Sequence, residues 1–381
     1  FFIKITLVPK MKIAVFFTYD YSIEGLKKSG LFEREMKIYV ELNKKYNIDF
    51  LFITYDEKTS LEESDFQNFQ FISVYNFIKK SNNKLVRLLK SFIIPLKLSR
   101  SIKDVDVLHQ HQLLGSWVPI IIKFILKKPL LIRTGYDAYL FSLLGKEKKY
   151  KILFYKYLTK LSLKLSDLYT VTSHSDFNFL SNKFKVKNVK TIPNWVESKN
   201  NLSKKRLSNK ILMVGRLEDQ KNYPLAFEFI NKTKSSFEID IYGTGSNQDY
   251  FEKTVLKDKL NINFLGNTSH EILINKYKNY NYFLTTSLFE GNPKTVLEAL
   301  SNECIIFASK IPSHKELITD DFNGFLFEDI NELLEKFELV INNKTKQNSI
   351  RKNCKKSIKN NDINEISKLM MEDYNSLMLL R

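Results

Sequence analysis

Twice in succession this chain alternates short β-rich apolar runs with longer stretches of helical period, and that repetition restricts its fold more than any other feature. In the first series the apolar runs fall at residues 13–17, 50–55, 107–109, 130–133 and 168–172, with a helical pattern at 32–45 between the first two. The second has runs at 211–214, 239–242, 262–265, 282–285 and 305–308. Alternation of this kind predicts parallel sheets covered by helices on both faces. Residues 197–210 between the series are polar and charged without an apolar period, and read as an interdomain linker. At 381 residues and 44.9 kDa the chain also exceeds what one hydrophobic core usually serves. The expectation is two similar α/β domains in tandem, 11–196 and 209–362, with a cleft between them, and a last amphipathic helical segment, 363–381, that packs back on the first domain.

Composition narrows the function classes. A hydrophobic content of 43% is that of a globular protein. The net charge of +18 points to an anionic partner, either nucleic acid, anionic lipid or a phosphate-bearing substrate, unless the lysines only solvate outer faces. Cys304 and Cys354 lack metal-ligand spacing and are too few for a disulfide framework, which fits a reducing cytosol and argues against zinc. No apolar run reaches the ~18 residues of a membrane-spanning helix; the stretch 117–126 is short and carries Lys123. The first ten residues have neither a basic n-region nor a small-residue cleavage site, so Met11 is the expected natural start and residues 1–10 are expected to be upstream sequence.

In open α/β sheets, chemistry collects beyond the carboxyl ends of the strands. After the run at 282–284, Glu290-Gly291-Asn292-Pro293 breaks the strand and Thr295 onward reads as a helix start, where backbone N–H groups attract phosphate. Glu290 in that loop could accept hydrogen bonds from sugar hydroxyls. Glu298, within the helix, either accepts them from a ribose or only complements the helix dipole. After Val214, the loop Gly215-Arg216…Lys221-Asn222 offers a planar guanidinium fork and a point charge suited to a diphosphate, or else is a solvated basic turn. Gly243 and Gly245, after another strand, would let a ligand approach the backbone closely.

Together, Gly215-Arg216-Leu217 with Gln220-Lys221-Asn222, Tyr242-Gly243-Thr244-Gly245, Phe264-Leu265-Gly266 and the Glu290/Glu298 pair resemble the retaining glycosyltransferases of family 4, of the group 1 type. Further matches are His109-Gln110-His111, Arg133-Thr134-Gly135-Tyr136-Asp137, Ile192-Pro193-Asn194, and His314-Lys315-Glu316 followed by Asn323-Gly324. The resemblance implies the GT-B fold, two Rossmann-like domains whose parallel sheets face each other across a cleft, the first binding acceptor and the second nucleotide-sugar. It also assigns roles. Arg216 and Lys221 would bind the donor diphosphate and stabilise the leaving group, with Gly215 and Gly243 in the donor site. Glu290 would hold sugar hydroxyls, the backbone through Gly291, Asn292, Pro293, Lys294, Thr295 and Val296 would meet sugar and phosphate, and Glu298 would hold the ribose. His111, or His109, would face the reacting sugar. Asp137 would either orient the acceptor or cap a helix. The glycine-rich loop usual after the first strand is replaced by a segment in which Gly25 and Gly30 stand apart, which leaves Gly30 as an acceptor-side candidate. Asp104-Val105-Asp106 suggests a metal-dependent transferase of another fold, but it precedes a strand instead of lying in an acidic loop, and the paired glutamates belong to a metal-independent site.

The resulting expectation is a retaining, metal-independent hexosyltransferase that moves sugar from a UDP- or GDP-sugar, as substrate and without a cofactor, to a glycan or lipid-linked acceptor in cell-surface polysaccharide or lipopolysaccharide biosynthesis. Lys84, Arg87 and Lys90 flank a helical stripe of Leu85, Leu88, Leu89, Phe92 and Ile93, and a second basic-aromatic patch follows Lys146. Such segments lie on anionic membranes, each basic residue contributing about 1 kcal/mol, or they bury the stripe in the core. The expected location is therefore the cytoplasm, with peripheral contact at the inner face of the plasma membrane. A noncatalytic sugar-nucleotide binder is the alternative. A nucleic-acid-binding protein lacks helix-turn-helix, zinc or RNP signatures, and a dinucleotide-dependent dehydrogenase lacks Gly-x-Gly-x-x-Gly after the first strand.

Overall fold

Apolar runs that are buried on both faces form the inner strands of parallel sheets, and the described residues of this chain hold thirteen strands in all. The structure, a computed structural model, describes residues 10–28, 30–57, 69–197, 206–233 and 236–380. Residues 1–9, expected upstream of the natural start, and residues 198–205 of the expected linker lie outside the described residues. The chain divides into two compact units. The first takes residues up to Val171, Asp176–Ile192 and the residues from Ser367 onward; the second takes Thr172–Ser175 and Pro193–Ile366.

The first unit holds β1 (Lys12–Phe16), β2 (Asp49–Thr54), β3 (Gln70–Ser73), β4 (Val107–His111), β5 (Leu130–Thr134), β6 (Leu168–Val171) and β7 (Val189–Thr191), in the order β3-β2-β1-β4-β5-β6-β7. Every pairing is parallel. The second unit holds β8 (Leu207–Val214), β9 (Glu238–Tyr242), β10 (Ile262–Phe264), β11 (Tyr280–Thr285), β12 (Ile305–Ser309) and β13 (Phe325–Phe327), in the order β10-β9-β8-β11-β12-β13. Both sheets therefore run outward one way from their first strand and then restart on its other side. That reversal is the Rossmann arrangement, and it opens a crevice beyond β1 and β4 in one unit and beyond β8 and β11 in the other.

Right-handed crossovers assign the helices to faces. Crossovers from β3 to β4, β4 to β5 and β5 to β6 all step the same way, so helices Lys84–Ser91, Ile94–Leu98, Trp117–Leu126 and Lys149–Leu165 form one layer. Helix Phe32–Tyr46 joins β1 to β2 in the opposite sense and covers the other face. Ile13, Ala14 and Val107 are fully buried in the first sheet, as are Leu212, Phe283 and Ile306 in the second.

Three strands escape the sequence reading, β3, β7 and β13, and each is a sheet edge of three or four residues. Runs of three or four residues are too short to show a readable period. β8 also begins four residues before the expected 211, at Leu207, inside the polar stretch read as linker. Leu207, Ser208 and Asn209 are exposed there, so hydrogen bonding to the sheet and not burial makes that segment a strand.

Candidate active site

At the reversal of the second sheet, two loops leave adjacent strands and are stitched together. β8 runs into Gly215-Arg216, and β11 into Thr286–Gly291. The Gln220 side-chain amide donates to the Phe289 carbonyl (2.7 Å), the Leu288 N–H to the Gln220 carbonyl (2.9 Å), and the Thr286 hydroxyl to the Lys221 carbonyl (2.7 Å). Asn222 takes the left-handed conformation at φ 48°, which turns the chain into helix Tyr223–Lys232. Lys221 then reaches across Gly215, where an added Cβ would stand 3.0 Å from its Cε, and its Nζ donates to Glu290 Oε1 at 2.5 Å. Both side chains of this pair are nearly enclosed, 15% and 12% exposed. Arg216, by contrast, is exposed.

Burial alone would raise the Glu290 pKa, but the Lys221 charge and hydrogen bond, with His314 and Ser287, outweigh it and hold the carboxyl below its usual range. His314 is buried, and desolvation pushes its pKa down to about 4 against the opposing pull of the Ser309 carbonyl and Glu290. The imidazole is thus neutral at pH 7. Its Nδ1–H donates to the Ser309 carbonyl at 2.7 Å, which leaves Nε2 as a lone-pair acceptor with no hydrogen-bond partner among the described residues.

Glu298 lies in helix Lys294–Ser301 and is buried, with Oε1 accepting from His270 Nε2 at 2.9 Å. His270 opens helix His270–Tyr277, which Ser269 caps. Pro293 is the N-cap of the Glu298 helix, Val296 is buried, and the Thr295 carbonyl accepts from the Tyr277 hydroxyl at 3.4 Å. Lys294 Nζ sits 5.8 Å from the centre of the Trp195 ring. Asn292, expected at the donor, has its side-chain oxygen on the Asn194 N–H (3.0 Å) and its carbonyl on the Asn194 side-chain amide (2.6 Å). Those two groups hold the Pro193-Asn194 segment against the loop, and only Gly291, also buried, lies between Asn292 and Glu290.

The expected ligand approach at Gly243 needs correction. A Cβ on Gly243, at φ +142°, would stand 2.0 Å from the Gly215 carbonyl oxygen, and one on Gly245 would stand 2.4 Å from that of Leu217. What approaches these glycines is the chain's own 215–217 backbone, which they seat under Arg216.

In the first unit, His109 and His111 are two apart on β4 and so share a face. His109 is fully buried. Its Nδ1 lies 2.8 Å from the Tyr374 hydroxyl, and desolvation, helped by His111 and Arg133, drops its pKa well below 6.5. This removes His109 as a residue facing an acceptor. His111, at the strand's end, reaches the surface with 22% of its side chain exposed, its Nε2 3.4 Å from Glu35 and its Nδ1 3.3 Å from the Tyr39 hydroxyl. Asp137 takes the capping alternative: it is buried, N-caps helix Ala138–Leu144 by accepting from the Leu140 N–H at 2.6 Å, and burial lifts its pKa to about 6 against the pull of those backbone N–H groups. Gly30 closes a turn at φ 68°, its N–H on the Lys27 carbonyl at 2.9 Å; that backbone role accounts for the glycine without an acceptor.

Residues 196–357, which carry every donor-side group just described except Pro193 to Trp195, match the family described as glycosyl transferases group 1. That segment has the sequence of a group 1 glycosyl transferase. Over 297 residues the chain is 29% identical to the capsular polysaccharide biosynthesis glycosyltransferase CapH of Staphylococcus aureus, covering 72% of this chain and 78% of CapH. It is 28% identical over 305 residues to the UDP-Gal:alpha-D-GlcNAc-diphosphoundecaprenol alpha-1,3-galactosyltransferase of Escherichia coli, 73% of this chain and 77% of the relative. Among solved structures, Anabaena Alr3699/HepE in complex with UDP-glucose superposes with a TM-score of 0.73 at 16% identity, covering 96% of this chain and all of that one. The likeness spans both units and gives the fold as GT-B.

Sequence reasoning gave no role to Gln220, Thr286, His270 or His314: Gln220 and His314 were noted only within their motifs, Thr286 and His270 not at all. Each acts through a partner tens of residues distant, except His314 with Ser309, and spacing carries no mark of such pairings.

Proposed function

We propose that this chain is a glycosyltransferase that transfers a hexose or related sugar, with retention and without a metal, from a UDP- or GDP-sugar to a glycan or lipid-linked acceptor in surface-polysaccharide biosynthesis. The observation that carries the reading is the Lys221–Glu290 pair at the reversal of the second sheet, beside exposed Arg216. Two cations at that crevice suit a departing diphosphate, and charge developing on a leaving group is where fixed cations contribute most. A retaining outcome requires the acceptor to enter on the face the nucleotide leaves, so stabilising that departure is the main demand on the site. Glu290 would hold sugar hydroxyls and Glu298, oriented by His270, the ribose. His111 is the first unit's candidate beside the reacting sugar. The capsular and diphosphoundecaprenol-directed relatives support the acceptor class, and the UDP-glucose complex of the Anabaena protein supports a UDP-sugar. A lipid-linked acceptor implies work at the cytoplasmic membrane surface.

The test is a thermal-shift panel of UDP-, GDP- and ADP-sugars, with and without EDTA, on the wild type and Glu298→Ala. Stabilisation by one nucleotide series that survives EDTA and weakens in the variant is expected. Silence across the panel would reject the donor site, and stabilisation abolished by EDTA would reject metal independence. Turnover of the donor recognised, absent in a noncatalytic binder, completes the test.

A further inference from the structure

Helix Lys84–Ser91 is built the wrong way round for a helix bathed in water. Its polar Arg87 is turned inward to an ion pair with Asp20 at 2.8 Å, and Ser91 is buried, accepting from the Trp117 indole N–H at 2.9 Å. Leu85 and Leu89 are instead 71% and 68% exposed. The turn into the next helix continues the display: Phe92 stays half-exposed while stacking on Trp117 at 5.8 Å, and Leu96 is 61% exposed. Of the stripe read from the sequence, Leu88 packs against the core, whereas Leu85, Leu89, Phe92 and Ile93 stay exposed.

The same helical layer repeats the arrangement. On Lys149–Leu165, residues Tyr150, Leu153, Tyr157 and Leu161 follow one helical stripe and are exposed, Tyr150 at 66% and Tyr157 at 60%. On its other side Leu158, Ser162 and Leu163 are buried. Between Lys146 and Lys164 the chain places seven lysines and one carboxylate, Glu147. Lys84, Lys97, Lys149 and Lys160 are all exposed beside the apolar stripes. Apolar side chains in these numbers on one layer mark an interaction surface.

We infer that this helical layer of the first unit is a docking surface for an anionic lipid bilayer, with the leucines and aromatics entering the headgroup boundary and the lysines pairing with acidic headgroups. Charge complementarity selects this occupant. A second copy would bring lysines against lysines, whereas a negatively charged bilayer satisfies both the cationic and the apolar groups. Its use, meeting a lipid-linked acceptor at the membrane, rests on the function proposed above. The surface itself is tested without any sugar, so either can fail alone.

The experiment is flotation of the full chain with phosphatidylcholine vesicles, with and without phosphatidylglycerol, at physiological and at 1 M salt. Variants are Leu85→Ser/Leu89→Ser and Lys149→Gln/Lys160→Gln, with thermal unfolding to show that both stay folded. Binding to the anionic vesicles alone is expected, lost at high salt and lost in the leucine variant. Two lysines fewer should weaken it about 25-fold, roughly fivefold for each. Failure of the wild type to float with anionic vesicles, equal binding to neutral ones, or binding unchanged in both variants would overturn the inference. Self-association abolished by Leu85→Ser/Leu89→Ser, without vesicle binding, would assign the face to a second copy instead.

Discussion

Arg216 and Lys221 sit in one loop but differ in what else they hold, and that difference predicts how their loss will look. Arg216 is exposed, so Arg216→Ala should leave unfolding free energy within about 0.5 kcal/mol while lowering kcat about 10²- to 10³-fold. Lys221→Ala should slow turnover as much, and should also cost roughly 2–4 kcal/mol because it strands the nearly enclosed Glu290 carboxylate. Adding Glu290→Gln should restore the stability and not the turnover. Urea unfolding and steady-state kinetics on the three variants check this, and near-normal kcat in Arg216→Ala would remove that residue from the mechanism. His314 supplies a pH signature. With a pKa of about 4 folded against 6.5 unfolded, the unfolded chain takes the proton first as pH falls. Stability should therefore be complete above pH 6.5 and decline toward pH 4, His314 accounting for roughly 3 kcal/mol of the loss. Fully buried His109 acts in the same direction. His314→Leu should flatten the decline of the melting temperature across that window, and an unchanged pH profile would show that the buried imidazole titrates normally.

Among elements, the turn after β9 is the least tolerant part of the donor side. Gly243→Ala combines a φ of +142° with a Cβ placed 2.0 Å from the Gly215 oxygen. It should cost about 3 kcal/mol or more and displace the Arg216 loop, reducing stability and nucleotide binding together. Gly266→Ala, at φ +66° with nothing within 4 Å, should cost only about 1 kcal/mol and serves as the control. Equal melting temperatures for the two would refute the close approach. Inner strands such as β1 and β12 were legible in the sequence because burial on both faces writes an unbroken apolar run. The edge strands β3, β7 and β13 were not, since pairing on one side leaves little imprint on three or four residues. Arg216, Lys221 and Glu290 could be singled out as candidates because each follows its strand at short range, and Glu298, inside the next helix, through its spacing from Glu290. The assignment of Asn292 to Asn194, of His270 to Glu298 and of Gly243 to the Gly215 backbone was not, because each depends on a partner from another element.

At the scale of the whole molecule, the chain enters the second unit near Pro193 and returns to the first through helix Ile363–Met378. In the first unit, Tyr374 supplies the hydrogen-bond partner of buried His109, and Asp373 pairs with Lys190 at 2.6 Å. Truncation after Asp362 should therefore lower the melting temperature of the first unit more than that of the second. Amide hydrogen exchange would resolve the two, with β4 losing protection while β11 retains more of it; equal loss, or none, would contradict the assignment. The helix also sets a timetable. A ribosome delivers residues 12–192 long before residue 374, so the first unit spends most of its synthesis with the place of Tyr374 beside His109 open, its closing piece arriving only after the entire second unit has emerged. For this chain the unit made first is finished last, and a chaperone that shields apolar surface in the interval would act on the N-terminal half.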